Sequence, residues 1–125
     1  MSRNDFLLVA ALLVAVIGAV HSYLGETIVF PRLFALPNLP LLRRDRTYTV
    51  NVLRYAWHMT SVAWWAGGAI LAALWWGRGD LRQTVLMIVA GMLLFTGLVI
   101  LATAGRRHPG WPLFLIAAAA AWYGA

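Results

Sequence analysis

Arg54, His58 and Ser61 lie in the stretch Arg54-Tyr55-Ala56-Trp57-His58-Met59-Thr60-Ser61, at positions i, i+4 and i+7, which a helix stacks on one face. The apolar run they open continues to Trp76, so this polar face sits in a segment that otherwise reads as membrane-spanning. A central arginine costs about 2.5–3.5 kcal/mol on insertion scales, so such groups face protein or a water-filled cavity. A guanidinium there can hold an anionic group, an imidazole can ligate a metal, and a hydroxyl can bind a ligand.

A second polar group, His21-Ser22-x-x-Gly25-Glu26, closes the first apolar run. Ser22 and Glu26 are i, i+4 neighbours, whereas His21 and Glu26 point about 140° apart on an ideal helix. His21 and Glu26 can share a ligand only if the helix loosens at Gly25. With four antiparallel spans, His21, Glu26, Arg54, His58 and His108 fall at one membrane face. Three imidazoles and a carboxylate are a suitable first shell for zinc, copper or iron and leave a position open for water or substrate. The metal-ligand set read this way is His21, His58, Glu26 and His108, with Arg54, Ser22 and Ser61 binding a ligand. In an enzyme, a metal-bound water would act on an amphiphilic substrate, with Glu26 as base and Arg54 on an anionic group. A b-type haem between His21 and His58 is a variant of that reading. No compact ligand spacing such as His-Glu-x-x-His is present, and the sequence names no reaction. The structural alternatives are a hydrogen-bonding His58, a Glu26–Arg54 pair that neutralises itself, and a His108 solvated in its loop. Met59, Met87 and Met92 are too dispersed for a thioether copper path and fill gaps.

The chain of 125 residues is 62% hydrophobic with a mean hydropathy of +0.77, too apolar to cover a soluble globule of its size. An integral membrane protein is expected. Cysteine is absent, which excludes disulfides, thiolate metal sites and cysteine nucleophiles. Net charge is +6, and the ten basic residues are all arginine, clustered beside apolar runs. That placement suits lipid headgroups, and with no basic reading helix or RNA-binding aromatic motif, nucleic acid is not expected.

The elements that must position these residues are all α-helical: an antiparallel bundle of four transmembrane helices in a single domain, over about 6–28, 48–77, 82–105 and 111–124. Arg3 before an apolar run has the outline of a signal peptide, but His21, Ser22 and Glu26 do not form a small-x-small cleavage site, so the run is expected to stay as a span. Gly18, Ser22 and Gly25 form a small-residue seam that allows another helix to approach closely. Residues 29–47 form the longest connection. Pro31, Pro37 and Pro40 argue against a continuous helix there, while its leucines, phenylalanines and arginines place it in the membrane interface. The second helix starts near Thr47 to Asn51 with Asp45 or Thr47 as cap, and Pro112 suits the first turn of the fourth. The tryptophans read as interfacial anchors. Arg32, Arg43, Arg44, Arg46, Arg106 and Arg107 lie on one side with Arg54 just beyond, against Arg3, Arg78 and Arg82 on the other. The positive-inside rule then puts both termini outside the cytoplasm.

His21-Ser22-x-x-Gly25-Glu26, followed by Arg54-x-x-Trp57-His58-x-Thr60-Ser61-x-x-Trp64-Trp65, resembles a group of small, uncharacterised bacterial four-helix integral membrane proteins. The resemblance covers the first three-fifths of the chain, implies a polytopic inner-membrane protein, and supplies no activity. His108 lies outside it.

Three functional classes follow. The leading one is a small inner-membrane protein whose polar site at the cytoplasmic leaflet binds a transition metal or a small ligand. The second is an accessory or scaffold subunit of a larger membrane complex, with purely structural histidines. The third is a homo-oligomeric channel or transporter, for which no inverted repeat is seen. The bilayer is the one partner common to all three.

Overall fold

The structure, a computed structural model, describes residues 5–125, so Ser2 and Arg3 lie outside the described part. It is all-helical. Helix α1 spans Asp5–Leu24 and passes through a π-helical turn, Gly25–Val29, into the short α2, Phe30–Phe34. Helix α3 spans Arg46–Trp76, α4 Leu81–Thr103 and α5 Gly110–Tyr123.

The first helix runs further than the sequence implies. The sequence reading ends it near residue 28, yet Pro31 stands in the first turn of α2, where its missing N–H costs least. A proline ring clashes with the carbonyl four residues back, and the widened turn ahead of it relieves that clash. Helical structure therefore extends over Asp5–Phe34, one of two described stretches long and apolar enough to cross a membrane, the other being Leu81–Thr103. Gly110–Tyr123 is apolar but shorter. Helix α3 is not among them, because tryptophans, glycines, Thr60 and Ser61 lower the hydropathy even of its most apolar stretch.

Local signals set the remaining boundaries. Asp45 caps α3 by accepting a hydrogen bond from the Tyr48 N–H at 2.9 Å, and Asp80 caps α4 through the Gln83 N–H at 3.2 Å. Gly77 ends α3 in the left-handed conformation at φ 64°, which glycine adopts without strain. The connection from Phe34 to α3 is pinned by Arg46, which donates to the carbonyls of Phe34 and Leu36. Thr49, almost wholly buried, accepts from the Leu42 N–H and donates to the Asp45 carbonyl.

The long helices pack in chain order, α1 on α3, α3 on α4 and α4 on α5, with no comparably extensive packing of α1 against α5. Two glycines of the first helix make room for side chains of α3. Gly18 and Gly25 of the first helix are buried beneath the indoles of Trp65 and Trp57, and a Cβ at either glycine would collide with the ring above it. Each indole also donates a hydrogen bond to the first helix, Trp65 to the Ala15 carbonyl and Trp57 to the His21 carbonyl, both at 3.0 Å. These two tryptophans, read from the sequence as interfacial anchors, clamp the two helices together.

Candidate functional site

Helix α3 presents Arg54, Trp57, His58, Ser61 and Trp65 at helical spacing, and all five contact the first helix or the turn that follows it. On its other side, Asn51 and Tyr55 face α4 and the turn before α5. The polar face expected from the sequence is thus the α1-facing stripe.

Glu26 is its hub. The π-helical turn carries this side chain toward α3, where its Oε1 lies 3.0 Å from Arg54 Nε in an ion pair and 2.8 Å from His58 Nε2 in a hydrogen bond. Because a carboxylate only accepts, His58 Nε2 carries a proton. The other ring nitrogen, Nδ1, is 2.9 Å from Ser22 Oγ, and Ser22 Oγ is 2.9 Å from Ser61 Oγ. Ser61 is fully buried, so its hydroxyl needs such a partner. The hydroxyl pair can run in either direction. With neutral His58, Ser61 donates to Ser22 and Ser22 to Nδ1; with the imidazolium, Nδ1–H donates to Ser22 and Ser22 to Ser61. The orientation of both hydroxyls, down to the buried one, is therefore tied to whether Nδ1 carries a proton.

Arg54 is held from below. Its guanidinium carbon sits 5.6 Å from the Phe30 ring centroid and 5.7 Å from that of Phe34, and the two rings stack at 5.0 Å. Phe30 is almost wholly buried and also meets the rings of Trp57 and His58 edge-on. Among the described residues, neither Nη atom of Arg54 nor Oε2 of Glu26 is hydrogen-bonded, and both side chains are nearly half exposed.

The remaining histidines lie elsewhere. The helix does loosen at Gly25, as a ligand shared by His21 and Glu26 would require, but His21 stacks flat on Trp57 with centroids 4.2 Å apart and meets Trp64 edge-on. Its Nε2 is buried and, among the described residues, has no hydrogen-bond partner. His108 is within reach of Tyr55, whose hydroxyl lies 2.7 Å from Nε2, while His108 Nδ1 accepts from the Gly110 N–H at 3.0 Å. The expected metal set of His21, Glu26, His58 and His108 is therefore divided among three environments. Among the described residues no group of three or more His, Cys, Asp or Glu side chains is placed to hold a metal ion.

Sequence reasoning missed Tyr55, Asn51, Phe30 and Phe34. Asn51 donates to the Thr103 carbonyl at 3.0 Å, and with Tyr55 it forms an i, i+4 pair that could have marked a second polar face. Phe30 and Phe34 have the same spacing, but the prolines around them concealed the helix. Comparison of the chain with protein-family models, curated proteins and solved structures finds no match.

Proposed function

We propose that this chain is a small multi-pass protein of a bacterial inner membrane whose Arg54–Glu26–His58 site binds a small polar ligand at the cytoplasmic leaflet. The observation that carries this reading is the division of labour within the site. Glu26 Oε1 engages both α3 partners, while Oε2 and the Nη atoms of Arg54 keep their hydrogen-bonding capacity for something outside the described residues.

The membrane setting is supported by the outer surface. Phe6, Leu12, Leu13, Val16, Leu98, Leu113 and Ile116 are each about half exposed or more, an apolar covering that water would not favour and lipid would. Four antiparallel spans bring the ends of α1 and α4 to the side where the arginines concentrate, which is the cytoplasmic side by the positive-inside rule.

A ligand of the site should survive gentle purification from membranes. Native mass spectrometry is expected to find a discrete small-molecule adduct on the wild-type chain that is lost from Glu26→Gln and Arg54→Gln and kept by His108→Ala. A wild-type chain without any adduct, or one whose adduct both site variants retain, contradicts the reading.

A further inference from the structure

We propose that the ligand is a zwitterion carrying a phosphate and a primary ammonium, the chemistry of phosphoethanolamine; this rests on the ligand-site reading above. Three features point to it. First, the free groups at the site are of opposite kinds, two Nη donors on a planar cation and one carboxylate oxygen that can only accept. A guanidinium fork matches phosphate oxygens, and an ammonium supplies the N–H donors that Oε2 lacks.

Second, the pair is electrically balanced. Arg54 and Glu26 cancel when His58 is neutral, so a bare anion meets the carboxylate and a bare cation meets the guanidinium. A ligand with both charges, set apart by a short spacer, gains a charge-assisted hydrogen bond from each partner. A quaternary ammonium has no N–H and cannot donate to Oε2, which separates ethanolamine from choline.

Third, the site is built before the ligand arrives. The Phe30 and Phe34 rings lie against the guanidinium, and Oε1 is shared by Arg54 and His58, so part of the ordering of both side chains precedes binding. Leu24 and Ile28, on the same stretch of helix as Glu26, are exposed, and they offer apolar surface to acyl chains if the headgroup belongs to a lipid.

The test is native mass spectrometry of the full chain in detergent. It is titrated with phosphatidylethanolamine, phosphatidylcholine and phosphatidylglycerol of identical acyl chains, then challenged with soluble phosphoethanolamine or inorganic phosphate. Phosphatidylethanolamine is expected to bind about tenfold more tightly than either other lipid, the scale of one charge-assisted hydrogen bond. Glu26→Gln should erase that preference, while Arg54→Gln should weaken all three lipids. Displacement by soluble phosphoethanolamine would support the headgroup chemistry and identify a free metabolite as an occupant; lipid binding that resists it would support the same chemistry in its lipid form. Equal or tighter binding of phosphatidylglycerol, or displacement by inorganic phosphate alone, would overturn the zwitterion and leave a ligand site standing. Binding of no probe, together with no co-purifying adduct, would remove the ligand site itself. Should a variant fail to fold, the headgroup ranking of the wild-type chain decides the proposal.

Discussion

Glu26 Oε1 and Ser22 Oγ stand on opposite sides of one imidazole: His58 reaches Glu26 at 2.8 Å through Nε2 and Ser22 at 2.9 Å through Nδ1. Through this one ring the carboxylate of the π-helical turn is linked to the buried hydroxyl of Ser61. Helices α1 and α3 are thus joined by a polar seam in addition to their small-residue and indole contacts.

Glu26 and Arg54 should be energetically coupled, but modestly. Their side chains are 42% and 46% exposed, so the pair belongs with solvent-accessible ion pairs, which contribute about 0.2–1 kcal/mol, and not with buried ones. A double-mutant cycle of Glu26→Gln and Arg54→Gln, read by thermal unfolding in detergent, should give a coupling within that range. Strictly additive losses would show two independent side chains.

The glycines beneath the indoles should tolerate nothing larger. Gly18→Ala is expected to displace Trp65, and Gly25→Ala to displace Trp57, each with loss of the indole hydrogen bond, worth about 0.5–1.5 kcal/mol, and of packing besides. Gly91, whose added Cβ would meet nothing within 4 Å, is the control, and Gly91→Ala should not lower stability. Unfolding temperature and tryptophan emission check this; equal tolerance at all three positions would contradict the clamp.

His108 should act as a brace between α3 and the turn before α5. His108→Ala removes its contacts to Tyr55 and Gly110 and should cost about 1–3 kcal/mol. Elemental analysis of wild type and variant should show equal zinc, copper and iron. A stoichiometric drop in one metal would return His108 to a metal site.

Orientation is open to labelling. With the arginine-rich connections inside, Asn38→Cys should resist an impermeant thiol reagent in intact cells while Arg78→Cys reacts. The reverse pattern would invert the protein without separating Glu26, Arg54 and His58.

Much of this arrangement was legible in the sequence because it follows from helical spacing. The i, i+4, i+7 stripe of Arg54, His58 and Ser61 does face the first helix, Ser22 and Glu26 do meet it, and the Gly18–Gly25 seam does admit close approach. Pro31 concealed the extension to Phe34, because a proline that breaks a helix interior is tolerated in a first turn, and a single residue type cannot say which applies. The fate of His21 was hidden for a related reason. Stacking on Trp57 depends on how α1 is rotated against α3, which a one-dimensional pattern does not carry. His108 was assigned to a shared site by its membrane side alone, but Tyr55 and the Gly110 N–H, neither marked by a motif, satisfy its ring.

The most direct test of the assembled site is solid-state NMR of the protein in a bilayer, with dipolar recoupling between the Glu26 carboxyl carbon and side-chain nitrogens. Cross peaks to both Arg54 Nε and His58 Nε2 are expected, since their separations from Oε1 are 3.0 and 2.8 Å. The peak between Trp57 Nε1 and the His21 carbonyl carbon serves as the internal control for α1–α3 packing. A spectrum with that control peak and neither Glu26 peak would contradict the site.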